Sequence, residues 1–364
     1  MAEPAQSVAA PAGRHKNGTP TGSPAGGSFG DRLTRRVGER RSQIVLGLDP
    51  DPARLWPRAL ELAGEAAGGG PGRSGPGRSR PSRGEPSRGG DADPATRAAR
   101  AVAAHCRLVL EAAGDQCVAV KPQVACFERL GAPGWSALAE VVRAAADAGL
   151  IVIADAKRGD IDISARAYAQ AFFGHTPTPF GDVQGLGADA LTVSPLLGRD
   201  SLAPFIEAAR TAGAGVLALV RTSNPGAADL QDRVLADGGT VSEALASLVD
   251  ELGRPGVGEA GLSDVGAVTG ATAPEKLETL RAAMPHAVLL LPGIGPQGGS
   301  GRDLAPAFAP GPAGGLVSAS RAIVYAHERA GSGAAPGAGT ATDPATAARQ
   351  EASRLRELIW GLYA

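Results

Sequence analysis

Asp155, Lys157 and Asp160 fall within six residues of "IVIADAKRGDIDIS" (151–164), where an apolar β run gives way to charge. An ammonium between two carboxylates is held protonated, because nearby negative charge favours its charged form. That suits a general acid that delivers a proton. It is poor for a Schiff-base nucleophile, which needs an apolar or cationic neighbourhood. Two residues apart on a strand, Asp155 and Lys157 point to the same side, and Asp160 follows a turn through Gly159. The competing reading is a structural ion-pair triad.

Lysine usage favours chemistry. The chain has four lysines, Lys16, Lys121, Lys157 and Lys276, and the other 32 of its 36 basic residues are arginine. Lys121 and Lys157 both stand at the ends of apolar β runs, where a compact ammonium with a transferable proton differs most from a guanidinium. Other polar residues at such ends are Asp49, Ser194, Thr222, Asn224, Gln297 and Arg321, and they are expected to converge on one cleft. The Gly-rich turn "PGIGPQGG" (292–299) offers free backbone N–H groups, and Arg321 follows the last run; together they point to a phosphorylated small molecule.

The elements that must position these residues are legible as a rhythm. Runs of strand length occur at 43–49, 117–123, 150–157, 188–195, 215–222, 265–272, 287–295 and 314–323. Stretches of helical period lie between them. Leu138, Val141, Val142 and Ala145 share one face, as do Leu277, Leu280 and Arg281 beside Met284. The last helix is expected to open with Asp343 as N-cap and Pro344 at its first position, and to face inward with Ala348, Ala352, Leu355, Ile359 and Leu362. Strands apolar on both faces that alternate with amphipathic helices indicate a parallel sheet, and eight such units close into a (β/α)8 TIM barrel. A doubly wound open sheet is the alternative, but it would normally bring a GxGxxG turn after the first strand, and "LGLDPDP" is not one. Barrel active sites lie at the C-terminal face, where the polar residues above are placed.

At 364 residues with a formal net charge of -1, the chain gives no global reason to expect binding to nucleic acid or to an anionic membrane. Cys106, Cys117 and Cys126 show no CxxC or Cys/His spacing and read as small buried hydrophobes, with no metal site. No segment approaches the ~18 apolar residues of a membrane span, so a cytoplasmic protein is expected. Residues 1–29 read as a disordered tail, and 30–364 as a single barrel domain with flexible insertions at about 64–93 and 329–343. Five arginines in the first insertion, Arg73, Arg78, Arg80, Arg83 and Arg88, leave a non-catalytic interaction protein as one rival reading. With no aromatics between them, they read as a solvated loop.

The chain resembles the orotidine 5'-phosphate decarboxylase family in its longer bacterial form (type 2). The segments that carry the resemblance are "GLDP" (47–50), "KPQVACFERLG" (121–131), "DAKRGDI" (155–161), "LTVSPLLG" (191–198), "VRTSNPGAADLQ" (220–231), "PGIGPQGG" and "SRAIVYA" (320–326). It implies conversion of orotidine 5'-monophosphate to uridine 5'-monophosphate and CO2 without metal or organic cofactor. It further implies that Asp155, Lys157 and Asp160 form the catalytic array, with Lys157 delivering a proton to C6 of the pyrimidine. Asp49 and Lys121 would hold ribose hydroxyls, Ser194 the pyrimidine amide, and Gln297 and Arg321 the 5'-phosphate. Ser164 stands where the family often has Thr and keeps a hydroxyl for the ribose; Ser320 stands where it commonly has Gly and keeps the backbone N–H. A homodimer with shared sites is implied, Asp160 reaching the neighbour's. Alone, DxKxxD is shared with sugar-phosphate enzymes, so a Mg2+-dependent decarboxylase or aldolase of the same barrel is the rival within the fold.

Overall fold

The computed structural model describes residues 27–65, 93–270, 274–292, 301–331 and 343–362. Each of the eight apolar runs forms a strand: β1 (Ile44–Leu48), β2 (Ala119–Pro122), β3 (Ile151–Arg158), β4 (Ala190–Val193), β5 (Gly215–Arg221), β6 (Val265–Thr269), β7 (Leu289–Pro292) and β8 (Gly315–Ala319). Every strand pairs in parallel with its neighbours in sequence, and β8 closes on β1 through the register Ile44↔Val317. The expected (β/α)8 barrel is the observed fold.

Helix α1 (Phe29–Arg40) precedes the barrel. Helices α2 (Pro57–Glu65) and α3 (Pro94–Ala113) follow β1, α4 (Val124–Glu128) and α5 (Ala132–Asp147) follow β2, and α6 (Asp162–Phe173) follows β3. Next come α7 (Arg199–Ala212) after β4, α8 (Ala227–Leu230) and α9 (Val241–Gly253) after β5, and α10 (Pro274–Ala283) after β6. A 3-10 segment (Gly301–Phe308) follows β7, and α11 (Arg321–Val324), α12 (Ala326–Gly331) and α13 (Pro344–Trp360) follow β8.

The strands are apolar throughout because both faces are covered. Val45, Ala119, Ile151, Ile153, Ala190, Leu217, Leu290 and Leu316 pack in one cluster with Phe29, Leu33 and Val37 of α1. Their alternates Ile44, Leu46, Val120, Val152, Leu191 and Val216 pack against the outer helices. Helix α1 is thus a floor for the barrel. The space above Gly215 is filled by the Phe29 ring, which a Cβ there would meet at 2.6 Å.

Several boundaries move inward from the composition-based ones. Ser28 caps α1 in a capping box with Asp31 and Phe29 is buried, so residues 28 and 29 belong to the folded unit, while 1–26 lie outside the described residues. Of the first insertion, Gly64 and Glu65 complete α2 and Asp93 caps α3, while 66–92 lie outside the described residues. Of the second, α12 runs to Gly331 and Asp343 caps α13 through Thr346 N–H (2.9 Å), while 332–342 lie outside them. A short antiparallel ribbon, His175–Thr176 with Val183–Gln184, was not expected, since its Thr/Pro-rich sequence carries no apolar alternation. Among the described residues, no helix is long and apolar enough to cross a membrane.

Arg281 sits on the inward face of α10, as its spacing predicts, but its charge is buried too. Its guanidinium donates to the carbonyls of Met284 (3.0 Å), Pro285 (3.3 Å), Ala287, Ala307 and Gly314 (2.8 Å each). Burial pulls its pKa down to about 10, which leaves it charged at neutral pH. One side chain thereby ties the end of α10 to the segments before β7 and β8.

Candidate active site

The centre of the C-terminal face is a carboxylate held from four directions. Asp155, at the end of β3, is 6% exposed. Its Oδ2 accepts from Lys121 Nζ (2.6 Å) and Gln123 Nε2 (3.2 Å), both from the end of β2. Its Oδ1 accepts from Lys157 Nζ (2.6 Å) and from Thr192 Oγ1 of β4 (2.9 Å). Burial pushes the Asp155 carboxyl up, but the two ammoniums outweigh it and hold the pKa at about 2. Asp155 is therefore a fixed anion at any physiological pH.

The two lysines differ in access. Lys121 is buried, whereas the Lys157 side chain is 46% exposed, so its ammonium faces the cleft while anchored on Asp155. Asp155 and Lys157 do share a side, but not through a regular strand. Pairing of β3 with β4 runs Ala154↔Leu191 and then Arg158↔Val193, so three residues oppose one, and Lys157 takes a left-handed φ of 49° within this bulge. Bulges re-aim side chains in this way near active sites.

Asp160 does not join the cluster. Its carboxylate accepts the N–H of Ile161 (2.8 Å), one residue before α6. Ser164 is exposed on the first turn of α6. The other sequence-predicted residues that the structure describes follow the ends of their strands on the same face. Asp49 is exposed after β1, and Ser194 follows β4 with its N–H on Arg158 O (2.7 Å). Thr222, after β5, donates through Oγ1 to Asn224 Oδ1 (2.6 Å). Arg321 is exposed at the start of α11, directly after β8. Gln297 lies outside the described residues, as does most of the Gly-rich turn.

Three participants escaped the sequence reading. Gln123 is two residues beyond Lys121 and so shares its side, a signal that was available in "KPQ". Thr192 is the one hydroxyl within β4 itself, in the sequence ALTV. Gln231 carried no signal; its Oε1 accepts the Thr222 N–H (2.7 Å) from nine residues away. The cysteines take no part: Cys106 and Cys117 are buried and Cys126 half-buried, and burial pushes the Cys117 thiol up to about 12.

The loop carrying Asp49 is docked onto the segment carrying Arg321. Trp56 Nε1 donates to Val324 O (3.1 Å), Arg54 pairs with Glu328 (2.6 Å), and the Trp56 N–H donates to Nδ1 of the buried His105 (3.1 Å). Burial first, and then His327, pull the His105 pKa down to about 4, so the folded protein holds it neutral. The unfolded chain takes up that proton near its ordinary value of about 6.5. Stability should therefore fall as the pH drops through 6.5 towards 4, by up to about 3 kcal/mol. Urea unfolding midpoints between pH 7 and 4.5 should show the drop, and His105→Gln should flatten it.

A buried anion clamped by two lysines, with one ammonium facing a cleft, is an arrangement that can stabilise developing negative charge and hold a transferable proton. The model of the "Orotidine 5'-phosphate decarboxylase / HUMPS family" matches residues 92–335. This chain belongs to the orotidine 5'-phosphate decarboxylase / HUMPS family. An orotidine 5'-phosphate decarboxylase of Rhodopirellula baltica is 49% identical over 224 residues, 62% of this chain and 73% of that protein. The one from Roseiflexus castenholzii is 41% identical over 324 residues, 89% of this chain and 95% of its own length. Among solved structures, Leishmania donovani OMP decarboxylase aligns with a TM-score of 0.61 at 30% identity, over 92% of this chain and 98% of that one. The solved Leishmania donovani structure shares the barrel described above.

Proposed function

We propose that this chain decarboxylates orotidine 5'-monophosphate to uridine 5'-monophosphate and CO2, the last step of de novo pyrimidine nucleotide synthesis. The observation that carries the reading is the clamped Asp155 with Lys157 open to the cleft, in a chain of this family. Lys157 delivers a proton to C6 as the carboxylate leaves, and Asp155 faces that carboxylate. Asp49 and Lys121 hold ribose hydroxyls, Ser194 holds the pyrimidine amide, Thr222 and Asn224 line the cleft, and Gln297 and Arg321 bind the 5'-phosphate.

Like charges ~4 Å apart at an effective dielectric near 20 repel by about 4 kcal/mol, roughly three decades of rate if all of it is relieved. Slow reactions require up to ~23 kcal/mol from an enzyme, so repulsion by Asp155 is a minor contribution. The larger share comes from the preorganised Lys157 ammonium facing developing negative charge, with binding energy from the remote phosphate.

The enzyme works in the cytoplasm as a homodimer with shared sites, Asp160 and Ser164 serving the neighbouring subunit. Two observations support this: Asp160 is turned away from its own Lys157, and apolar side chains are exposed beside it at Ile161 and Ile163 (84% exposed) and after β4 at Leu196. The assay is the absorbance decrease as orotidine 5'-monophosphate is consumed, with and without EDTA. Equal rates are expected. Both oxygens of Asp155 are already occupied by ammoniums, which disfavours a cation there. Loss of turnover on chelation would move the chain to the sugar-phosphate branch.

A further inference from the structure

We propose that Thr192 is a positioning residue for the proton donor: its hydroxyl holds both the Asp155 carboxylate and the backbone of Lys157, and so fixes the ammonium over the reacting carbon. This rests on the decarboxylase reading of the same site.

Thr192 is 1% exposed in β4, opposite the bulge of β3. With three residues facing one, the N–H of Lys157 has no carbonyl of β4 opposite it. The Thr192 hydroxyl takes that place: Oγ1 accepts from Lys157 N (3.0 Å) and donates to Asp155 Oδ1 (2.9 Å). Its one proton and one of its lone pairs are thereby spent on residues two apart, which are also joined by the Lys157 Nζ to Asp155 Oδ1 bond. The three contacts form a closed triangle around the left-handed Lys157. A non-glycine residue in that conformation is strained and persists only where its surroundings over-determine it.

Lys121 and Gln123 bind the other oxygen, Oδ2, and so do not fix the direction of Oδ1. Besides the Lys157 ammonium whose position is at stake, Thr192 is the group that holds Oδ1. Without it, the Lys157 backbone can relax and its ammonium can leave the geometry required for proton delivery. Displacements on the 1 Å scale cost about 10²-fold in positioned reactions. Substrate binding draws mainly on other strand ends and should be spared.

Thr192→Val keeps the volume and branching of the side chain and removes only the hydroxyl, and Thr192→Ser keeps the hydroxyl. The expected result for Thr192→Val is a kcat lowered about 10- to 100-fold, with KM for orotidine 5'-monophosphate and Kd for uridine 5'-monophosphate within about threefold of wild type. Thr192→Ser should stay within about threefold in all three. If Thr192→Val gives no folded protein, Thr192→Ala against Thr192→Ser makes the same comparison. A hydroxyl-free variant with kcat within twofold of wild type would overturn the proposal. So would equal losses in the serine and hydroxyl-free variants, or a loss confined to KM. Wild-type turnover of orotidine 5'-monophosphate, measured alongside, tests the decarboxylase reading separately.

Discussion

Lys157→Ala is expected to lower turnover of orotidine 5'-monophosphate by about four decades or more while uridine 5'-monophosphate still binds. A positioned general acid contributes about 10²–10⁴, and a preorganised charge facing the transition state about 10²–10³. One ammonium does both here, so the two losses overlap and do not simply multiply. Binding survives because the proposed contacts to phosphate, ribose and base come from other strand ends. Removing Lys157 also leaves Asp155 with Lys121 as its one ammonium partner, so the site becomes more negative and the substrate carboxylate is repelled more strongly. Turnover near wild type would refute the role. A loss in KM alone would make Lys157 a binding residue.

Arg281→Met is expected to be the most destabilising single change, by about 3 kcal/mol or more. Methionine fills much of the space but donates nothing, and the carbonyls of Met284, Pro285, Ala287, Ala307 and Gly314 lose their shared donor. Each buried group left unsatisfied costs about 1–3 kcal/mol, less where water can enter. A melting point lower by about 4 °C or more follows for a domain of this size. Arg281→Lys should recover only part, because a compact ammonium with three donors cannot span the set. A shift of less than 2 °C in Arg281→Met would show that the carbonyls find other partners.

The fold was legible because covered strands and amphipathic helices write different periods, and the eight runs fall where the strands do. The charged centre was legible for another reason. Lysine is rare in this chain, so Lys121 and Lys157 stood out at strand ends. The bulge was not legible, since alternation along "IVIADAKR" predicts the right facing of Asp155 and Lys157 without revealing the register shift that produces it. Thr192 was hidden because its partner was a backbone N–H freed by that shift. Asp160 shows the limit of spacing: three residues from Lys157 in sequence, its carboxylate is nonetheless spent on the Ile161 N–H. Arg281 fitted the helical period and was placed on the right face, but nothing in the period shows that five carbonyls converge on it.

The seam between β1 and β8 has a consequence for how the molecule comes into being. All other strand pairings join neighbours in sequence, whereas this one joins Ile44 to Val317, and beside it Gly47 lies so close to Ser320 that a Cβ would approach its Cβ to 2.6 Å. Asp49 and Arg321 stand on opposite banks of the seam. As the chain leaves the ribosome, seven strands can pair in turn, but the proposed ribose and phosphate subsites cannot meet until the eighth has emerged and docked on the first. With those subsites, affinity for the nucleotide would come only with ring closure, and substrate present at that moment would favour the closed ring over any open sheet.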